Sequence, residues 1–339
     1  MPNKVKVAVL GTGSLGKEHV RLYAQLASQR EVDLVGVFDS NNETARHIAA
    51  KHHTHALGSV DEILEETDAV SIVTPTVTHF ELAKKFLQRG KHVLVEKPMT
   101  DDSAEAAELV QLAQQHNCVL QVGHVERFNP VFNYLESVAT QPRFIETHRL
   151  SPYPARSTDI GVVLDLMIHD LDVVLAFVKS PVISVDAVGI PVLSKSEDIA
   201  NARLRFANGC VANLTVSRIS PDRMRKIRVF SGPDNKCYIS LDYRAQEGFI
   251  YRIARDGEEE SSLLKKLLAS RDSTIVSEFG GQRIVREPVP IQKDEPLKLE
   301  LQHFVQCVRD KQTPRVSGES AKAALDLAFE ITRQVQLSK

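Results

Sequence analysis

The spacing Gly11-Thr12-Gly13-Ser14-Leu15-Gly16 carries the clearest chemistry in this chain. It follows the strand-like run Val5-Lys6-Val7-Ala8-Val9-Leu10 and precedes a helix-like stretch. Asp39 closes the next apolar run, 32–38, at 23 positions past Gly16. That context suits a dinucleotide. Gly11 permits a tight turn, Gly13 lets the backbone approach a pyrophosphate, and Gly16 lets helix pack on strand. A helix beginning near Ser14 aims free N–H groups and its positive dipole end at the phosphates. Asp39 suits the adenosine ribose hydroxyls and repels a 2′-phosphate, which favours NAD over NADP. A glycine-rich turn in some other α/β protein is the alternative reading of the loop.

The elements that must hold this loop alternate in type. Strand-like runs at 4–10, 32–38, 69–73, 92–95 and 119–122 are separated by helical stretches near 14–29, 41–52, 59–66, 78–89 and 103–116. Such alternation builds a parallel sheet covered on both faces, with ligands beyond the carboxyl ends of its strands. Thr74-Pro75-Thr76 and Glu96-Lys97-Pro98 sit at such ends and are expected beside the glycine loop. After residue 124 the rhythm changes. A strand at 143–150 and a helix at 162–177 lead into strand-like segments at 182–190, 201–206, 210–217, 226–230 and 236–241, the pattern of an antiparallel sheet. The stretch 256–294 is polar and shows no clear period, while 297–309 and 319–336 read as helices. The expected architecture is an N-terminal Rossmann doubly wound parallel sheet over 1–124. A C-terminal α/β domain with an open, mostly antiparallel sheet follows over 125–339. Helix 319–336 would pack back on the first domain through Ala324, Leu325, Leu327, Ala328 and Ile331.

Composition narrows the partners. The 339 residues carry 42 Lys plus Arg against 44 Asp plus Glu, a formal net charge of −2, which points to neither nucleic acid nor an anionic membrane. Cys118, Cys210, Cys237 and Cys307 are scattered and form no CxxC pair, as expected for reduced thiols in a cytoplasmic protein. The first apolar run is far shorter than a signal-peptide core or a membrane span. His52, His53 and His55 read as a solvated cluster, so no metal is expected. The basic run at 223–228 alternates like a strand with one polar face rather than a nucleic-acid patch.

These residues resemble the Gfo/Idh/MocA family of nicotinamide-dependent sugar and cyclitol oxidoreductases. The likeness runs from the glycine loop through Thr74-Pro75-Thr76 with His79, Glu96-Lys97-Pro98 and the Asp165/His169 pair to the closing segment around 300–328. It implies an NAD site built from Gly11, Thr12, Gly13, Ser14, Leu15, Gly16, Asp39, Ser40, Thr74, Pro75, Thr76, His79, Glu96 and Lys97. It also implies a catalytic set of Lys97, Asp165 and His169. The residue chemistry agrees. Asp165 and His169 are four apart on the expected helix, hence on one face. A carboxylate near an imidazole raises its basicity and fixes its orientation, as a general base requires. The Lys97 ammonium suits the oxygen that becomes an alkoxide as hydride leaves. Asp170 and Asp172 offer other partners for the same imidazole. The approach Asp159-Ile160-Gly161 is less glycine-rich than in many relatives.

Gly123-His124-Val125-Glu126-Arg127-Phe128-Asn129-Pro130 looks like the subgroup acting on nucleotide-linked amino sugars, the UDP-N-acetylglucosamine and UDP-N-acetylglucosaminuronate 3-dehydrogenases. Arg127, Asn129, Arg149 and Arg156 then become candidate contacts for a sugar diphosphate, with Lys97 and His169 on the sugar. For Arg127 an ion pair with Glu126 is the competing reading. The resulting expectation is an NAD-dependent oxidation of a sugar hydroxyl by a homodimer or homotetramer, with a small-molecule substrate. A dehydrogenase of free cyclitols or sugars and a non-catalytic NAD-binding sensor are the alternatives.

Overall fold

A computed structural model describes residues 4–138, 141–153, 160–232, 236–254, 274–279 and 281–337. The chain divides into two units, one of Met1–Phe128 with Glu295–Asp326, the other of Asn129–Asp294 with Leu327–Lys339.

The first unit alternates strand and helix. In order it runs β1 (Val5–Leu10), α1 (Gly16–Ser28), β2 (Val32–Phe38), α2 (Asn42–Lys51), β3 (His55–Ala56), α3 (Val60–Glu66), β4 (Ala69–Ile72), α4 (His79–Gln88), β5 (His92–Glu96), α5 (Ser103–Gln115) and β6 (Leu120–Gly123). All pairings are parallel, in the order β3-β2-β1-β4-β5-β6. This is the order of dinucleotide-binding sheets. The expected elements appear with ends within two residues, and β3 is an additional strand of two residues. Local chemistry sets the helix starts. Asn41, Ser59 and Asp102 each accept backbone N–H bonds from the first turns of α2, α3 and α5. Val7, Val9, Val70, Ile72, Val93, Leu94 and Val95 are fully buried, as strands covered on both faces require. One core helix arrives from late in the sequence. In α8 (Pro296–Asp310), Leu301, Phe304, Val305, Cys307 and Val308 join Val20, Tyr23 and Leu26 of α1 and Val5, Val7 and Val9 of β1 in one apolar cluster.

The second unit starts with α6 (Pro130–Val138) and β7 (Pro142–Leu150). A π-helical turn over Val163–Met167 runs directly into α7 (Ile168–Val178). The sheet continues with β8 (Val182–Ile190), β9 (Ile199–Phe206), β10 (Val211–Ser217), β11 (Met224–Ser231), β12 (Cys237–Asp242), β13 (Glu247–Ile253), β14 (Thr274–Phe279) and β15 (Gln282–Pro288). The order is β14-β15-β13-β12-β11-β7-β10-β9-β8, with β7 and β10 parallel and the other neighbours antiparallel. Strands β13 to β15 go beyond the sequence expectation, and the last two fall within the stretch 256–294 that showed no period. In β9, Ala200, Ala202, Leu204 and Phe206 are buried while Asn201, Arg203 and Arg205 alternate with them. Helix α9 (Gly318–Leu337) buries Ala324, Leu325, Leu327, Ala328 and Ile331, the face its period predicts. No helix among the described residues is long and apolar enough to cross a membrane.

Phe304 tests the contribution of α8. Its truncation to Ala removes a fully buried ring from the first unit and is expected to cost about 3–5 kcal/mol. Urea titration read by CD checks this. A loss below about 1 kcal/mol would show that α8 is not part of that core.

Candidate functional site

In the first unit the glycine loop is shaped by what presses on it. Gly11 has φ +90°, and a Cβ there would lie 2.4 Å from the Val73 carbonyl oxygen. At Gly16 a Cβ would fall 1.9 Å from the Gly11 carbonyl oxygen. Gly13 differs, since a Cβ would meet nothing within 4 Å. Its bare backbone faces open space, the fit a pyrophosphate needs. Leu15 leads into α1 without a side-chain cap; the Lys17 and Glu18 N–H groups turn back to the Gly13 and Leu15 carbonyls at 3.1 and 2.9 Å, and the positive end of the helix dipole faces an anion at the loop.

Asp39 stands at the end of β2 with both oxygens fixed. One accepts the Thr12 N–H at 2.7 Å and the Thr12 hydroxyl at 2.9 Å, and the other accepts the Asn41 N–H at 2.9 Å. Burial pushes this carboxyl up. The bonds from Thr12, Asn41 and the Ser40 hydroxyl overcome that and hold it below the ordinary carboxylate range. Asp39 is therefore a fixed anion beside the loop, where ribose hydroxyls would take the place of the Thr12 and Ser40 hydroxyls as donors. The residues present fit NAD.

The loops after β4 and β5 are tied together. Thr74 accepts from the Thr78 hydroxyl at 2.7 Å, and the turn Thr76–Thr78 leads into α4. His79, expected at the cofactor, is buried, with one ring nitrogen 2.9 Å from the Thr74 carbonyl and the other 2.9 Å from the Pro98 carbonyl. It links the two loops and so fixes the flank of Lys97. Glu96 is buried with its carboxylate against Gly123, where a Cβ would come within 2.7 Å. One Glu96 oxygen is 3.1 Å from His19 Nε2, and the other accepts the Lys97 backbone N–H at 3.3 Å. Lys97 itself is half-buried at the end of β5. Sequence reasoning missed His19. The available signal was an ionisable side chain on the apolar stripe of α1 formed with Leu22, Tyr23 and Leu26.

In the second unit Asp165 lies inside the π turn, and His169 is the second residue of α7. Both are half-buried. The expectation was a plain α-helical turn across the pair. Instead the Ile168 N–H donates to the Val163 carbonyl, so the turn carries one extra residue. Such wide turns recur at functional positions.

The arginines meet protein partners. Arg149 donates from Nε and Nη2 to the two Asp170 oxygens, each at 3.0 Å, and both residues are buried. Asp170, weighed as a partner for His169, thus forms a fork with Arg149. Arg127 is buried and donates to the Arg315 carbonyl at 3.2 Å. Asn129 is also buried. Its amide donates to the Tyr243 carbonyl at 3.1 Å, and its oxygen accepts the Val131 N–H at the start of α6. Arg156 lies outside the described residues.

Residues 5–124 match the model of an oxidoreductase family with an NAD-binding Rossmann fold, and 135–233 match the GFO/IDH/MocA C-terminal domain. A UDP-N-acetylglucosamine 3-dehydrogenase from Acidithiobacillus ferrooxidans is 35% identical over 333 residues, covering 98% of this chain and 97% of its own. A crystal form of that dehydrogenase superposes with a TM-score of 0.86 at 34% identity, over 99% of this chain and 98% of its own. The scyllo-inositol 2-dehydrogenase (NAD(+)) of Bacillus subtilis is 26% identical, over 98% of this chain and 94% of its own.

His124 gives a measurable pH response. Fully buried, and with the Lys97 and Arg127 charges adding to the effect, its imidazole is pushed from an ordinary 6.5 down to about 3. The folded state therefore keeps it neutral while the unfolded chain takes up a proton below 6.5. This contribution is present above pH 6.5 and is lost as pH falls, at about 1.4 kcal/mol per pH unit down to the folded value. Thermal melts from pH 7.5 to 4.5 should show that decline, and His124→Asn should flatten it. Parallel declines would remove His124 as its source.

Proposed function

Since the chain belongs to the Gfo/Idh/MocA family of NAD-binding oxidoreductases, we propose that it oxidises the C3 hydroxyl of UDP-N-acetylglucosamine or a closely related nucleotide sugar. The observation that carries this reading is the end-to-end likeness to an enzyme of that name. When bound, NAD supplies the hydride acceptor; the protein supplies position and electrostatics. In this proposal His169 takes the hydroxyl proton, held in orientation by Asp165. Lys97, fixed on one side by Glu96 and on the other by the His79–Pro98 link, donates a hydrogen bond to the substrate oxygen as negative charge grows on it. Asp39 takes the ribose hydroxyls, so NAD is used in preference to NADP. A homodimer or homotetramer belongs to the same reading. It is supported by the aromatic row across the sheet of the second unit, Phe144 tilted against Phe230 and Phe230, Tyr238 and Tyr251 stacked in turn, and sedimentation velocity reads it directly.

One observation favours a second reading, a dehydrogenase of free cyclitols. Arg149 and Asn129, which were to hold the nucleotide, already bond protein groups. The two readings separate in one assay. With NAD and either UDP-N-acetylglucosamine or scyllo-inositol, the nucleotide-sugar enzyme yields a product lighter by two hydrogens only from the first. A keto product from inositol alone overturns the proposal.

Two substitutions probe the roles. His169→Ala is expected to lower kcat by about 10²–10⁴-fold, the worth of a general base, and a loss below about tenfold would remove that assignment. Asp39→Ala withdraws a charged acceptor worth roughly 1.5–3 kcal/mol, so KM for NAD should rise about 10–150-fold. Unchanged KM for NAD would place the ribose elsewhere.

A further inference from the structure

The segment bearing Asp165 and His169 begins with backbone N–H groups that a helix cannot satisfy from within. A single residue from a distant part of the same unit takes two of them. Glu197 accepts the Val162 N–H on its backbone carbonyl at 3.1 Å and the Val163 N–H on its carboxylate at 3.3 Å. It is 3% exposed, at the turn before β9. Gly161 is matched to it, because a Cβ there would fall 1.8 Å from the Glu197 Oε1 and 2.2 Å from its carboxyl carbon. Any side chain at this position would require the carboxylate to move away.

The turn holding Glu197 is itself pinned. One oxygen of the neighbouring Asp198 accepts the N–H groups of Val192, Leu193 and Ser194 at 2.8, 2.6 and 2.9 Å. Its other oxygen accepts Arg218 Nε at 2.7 Å. Arg218 then reaches past it to donate to the Ile160 carbonyl at 2.7 Å. Gly161 is thus gripped on both sides, through Ile160 by Arg218 and through Val162 and Val163 by Glu197. Asp165 follows immediately, its N–H on the Gly161 carbonyl at 3.1 Å. A π turn is a rare winding, and these contacts fasten the backbone where it begins. A carboxylate at this end also suits the helix dipole.

Resting on the assignment of His169 as the base, we propose that Glu197 is a positioning residue. It caps the Asp165–His169 segment from outside, fixes the π turn and thereby sets the aim of the imidazole. It touches no substrate.

The test uses full-length Glu197→Ala, Glu197→Gln, Gly161→Ala, the Gly161→Ala/Glu197→Ala double variant and His169→Ala. Amide deuterium exchange over 161–170 reads the cap without any substrate. Steady-state kcat and KM for the sugar, with NAD saturating, read its consequence. Glu197→Ala should speed exchange in that peptide and lower kcat by about tenfold or more while KM moves less than about threefold, since misaligned groups cost rate rather than binding. Glu197→Gln keeps the acceptor and should restore both readouts to within about threefold of the parent. Gly161→Ala should mimic Glu197→Ala, and the double variant should be no worse than Glu197→Ala alone, because the added methyl no longer meets a carboxylate. Unchanged exchange in Glu197→Ala, failure of Gln to rescue, or additive losses in the double variant would overturn the inference. Full turnover by His169→Ala would instead overturn the base assignment, and the effect on turnover ascribed to Glu197 with it. The exchange data would still decide whether Glu197 is the cap.

Discussion

The cofactor half of the molecule depends on one steric fact, that the Gly16 backbone sits on the Gly11 carbonyl while Gly11 sits on the carbonyl of Val73. Three backbone segments, the end of β1, the start of α1 and the end of β4, meet there without a side chain between them. Any methyl inserted into that stack would separate helix from strand. Every other feature of the cradle is arranged around this contact. Thr12 is placed to bind Asp39, α1 brings His19 against Glu96, and the β4 loop reaches His79. Polar groups that burial would otherwise penalise are satisfied by one another, which stiffens the strand ends from which Lys97 projects.

The second half uses charge differently. Arg149 with Asp170, joined by two bonds, and Arg218 with Asp198, joined through Nε, are ion pairs almost wholly withdrawn from water. A desolvated pair of this kind contributes modest net stability against an apolar alternative, yet removing one partner is costly. Their value here is geometric. They link β7 to α7 and the end of β10 to the start of the π turn, so the helix bearing His169 is located by directional bonds as well as apolar packing.

Much of this was legible in the amino-acid order, for reasons that differ by element. Strands β1, β2, β4, β5 and β6 are short β-branched runs between amphipathic helices, and their period survives without tertiary information. Strand β3 spans two residues, too few to show any period. Strand β13 places Phe249, Ile250 and Tyr251 consecutively, which hides the alternation of a half-buried strand. The π turn was invisible because Val162 to Phe177 reads as apolar helix under either winding. The bond from Arg149 to Asp170 could not be foreseen, because the partner lies 21 residues away in sequence, beyond any local pattern. His19 and Glu197 were missed for the same reason, since each acts on a residue tens of positions distant.

The placement of α8 has a consequence for how the chain is made. Its Leu301, Phe304 and Val305 complete the apolar cluster of a unit whose sheet ends at Gly123. During synthesis the residues of this unit up to Phe128 therefore leave the ribosome before the helix that covers one side of their core has been made. It must wait while the 166 residues of Asn129–Asp294 are added. Part of the burial on which that core depends arrives only with this late segment of chain. The intervening unit has all of its sheet by then and lacks only the end of α9. The unit begun first thus has its last core helix synthesised only after every strand of the second.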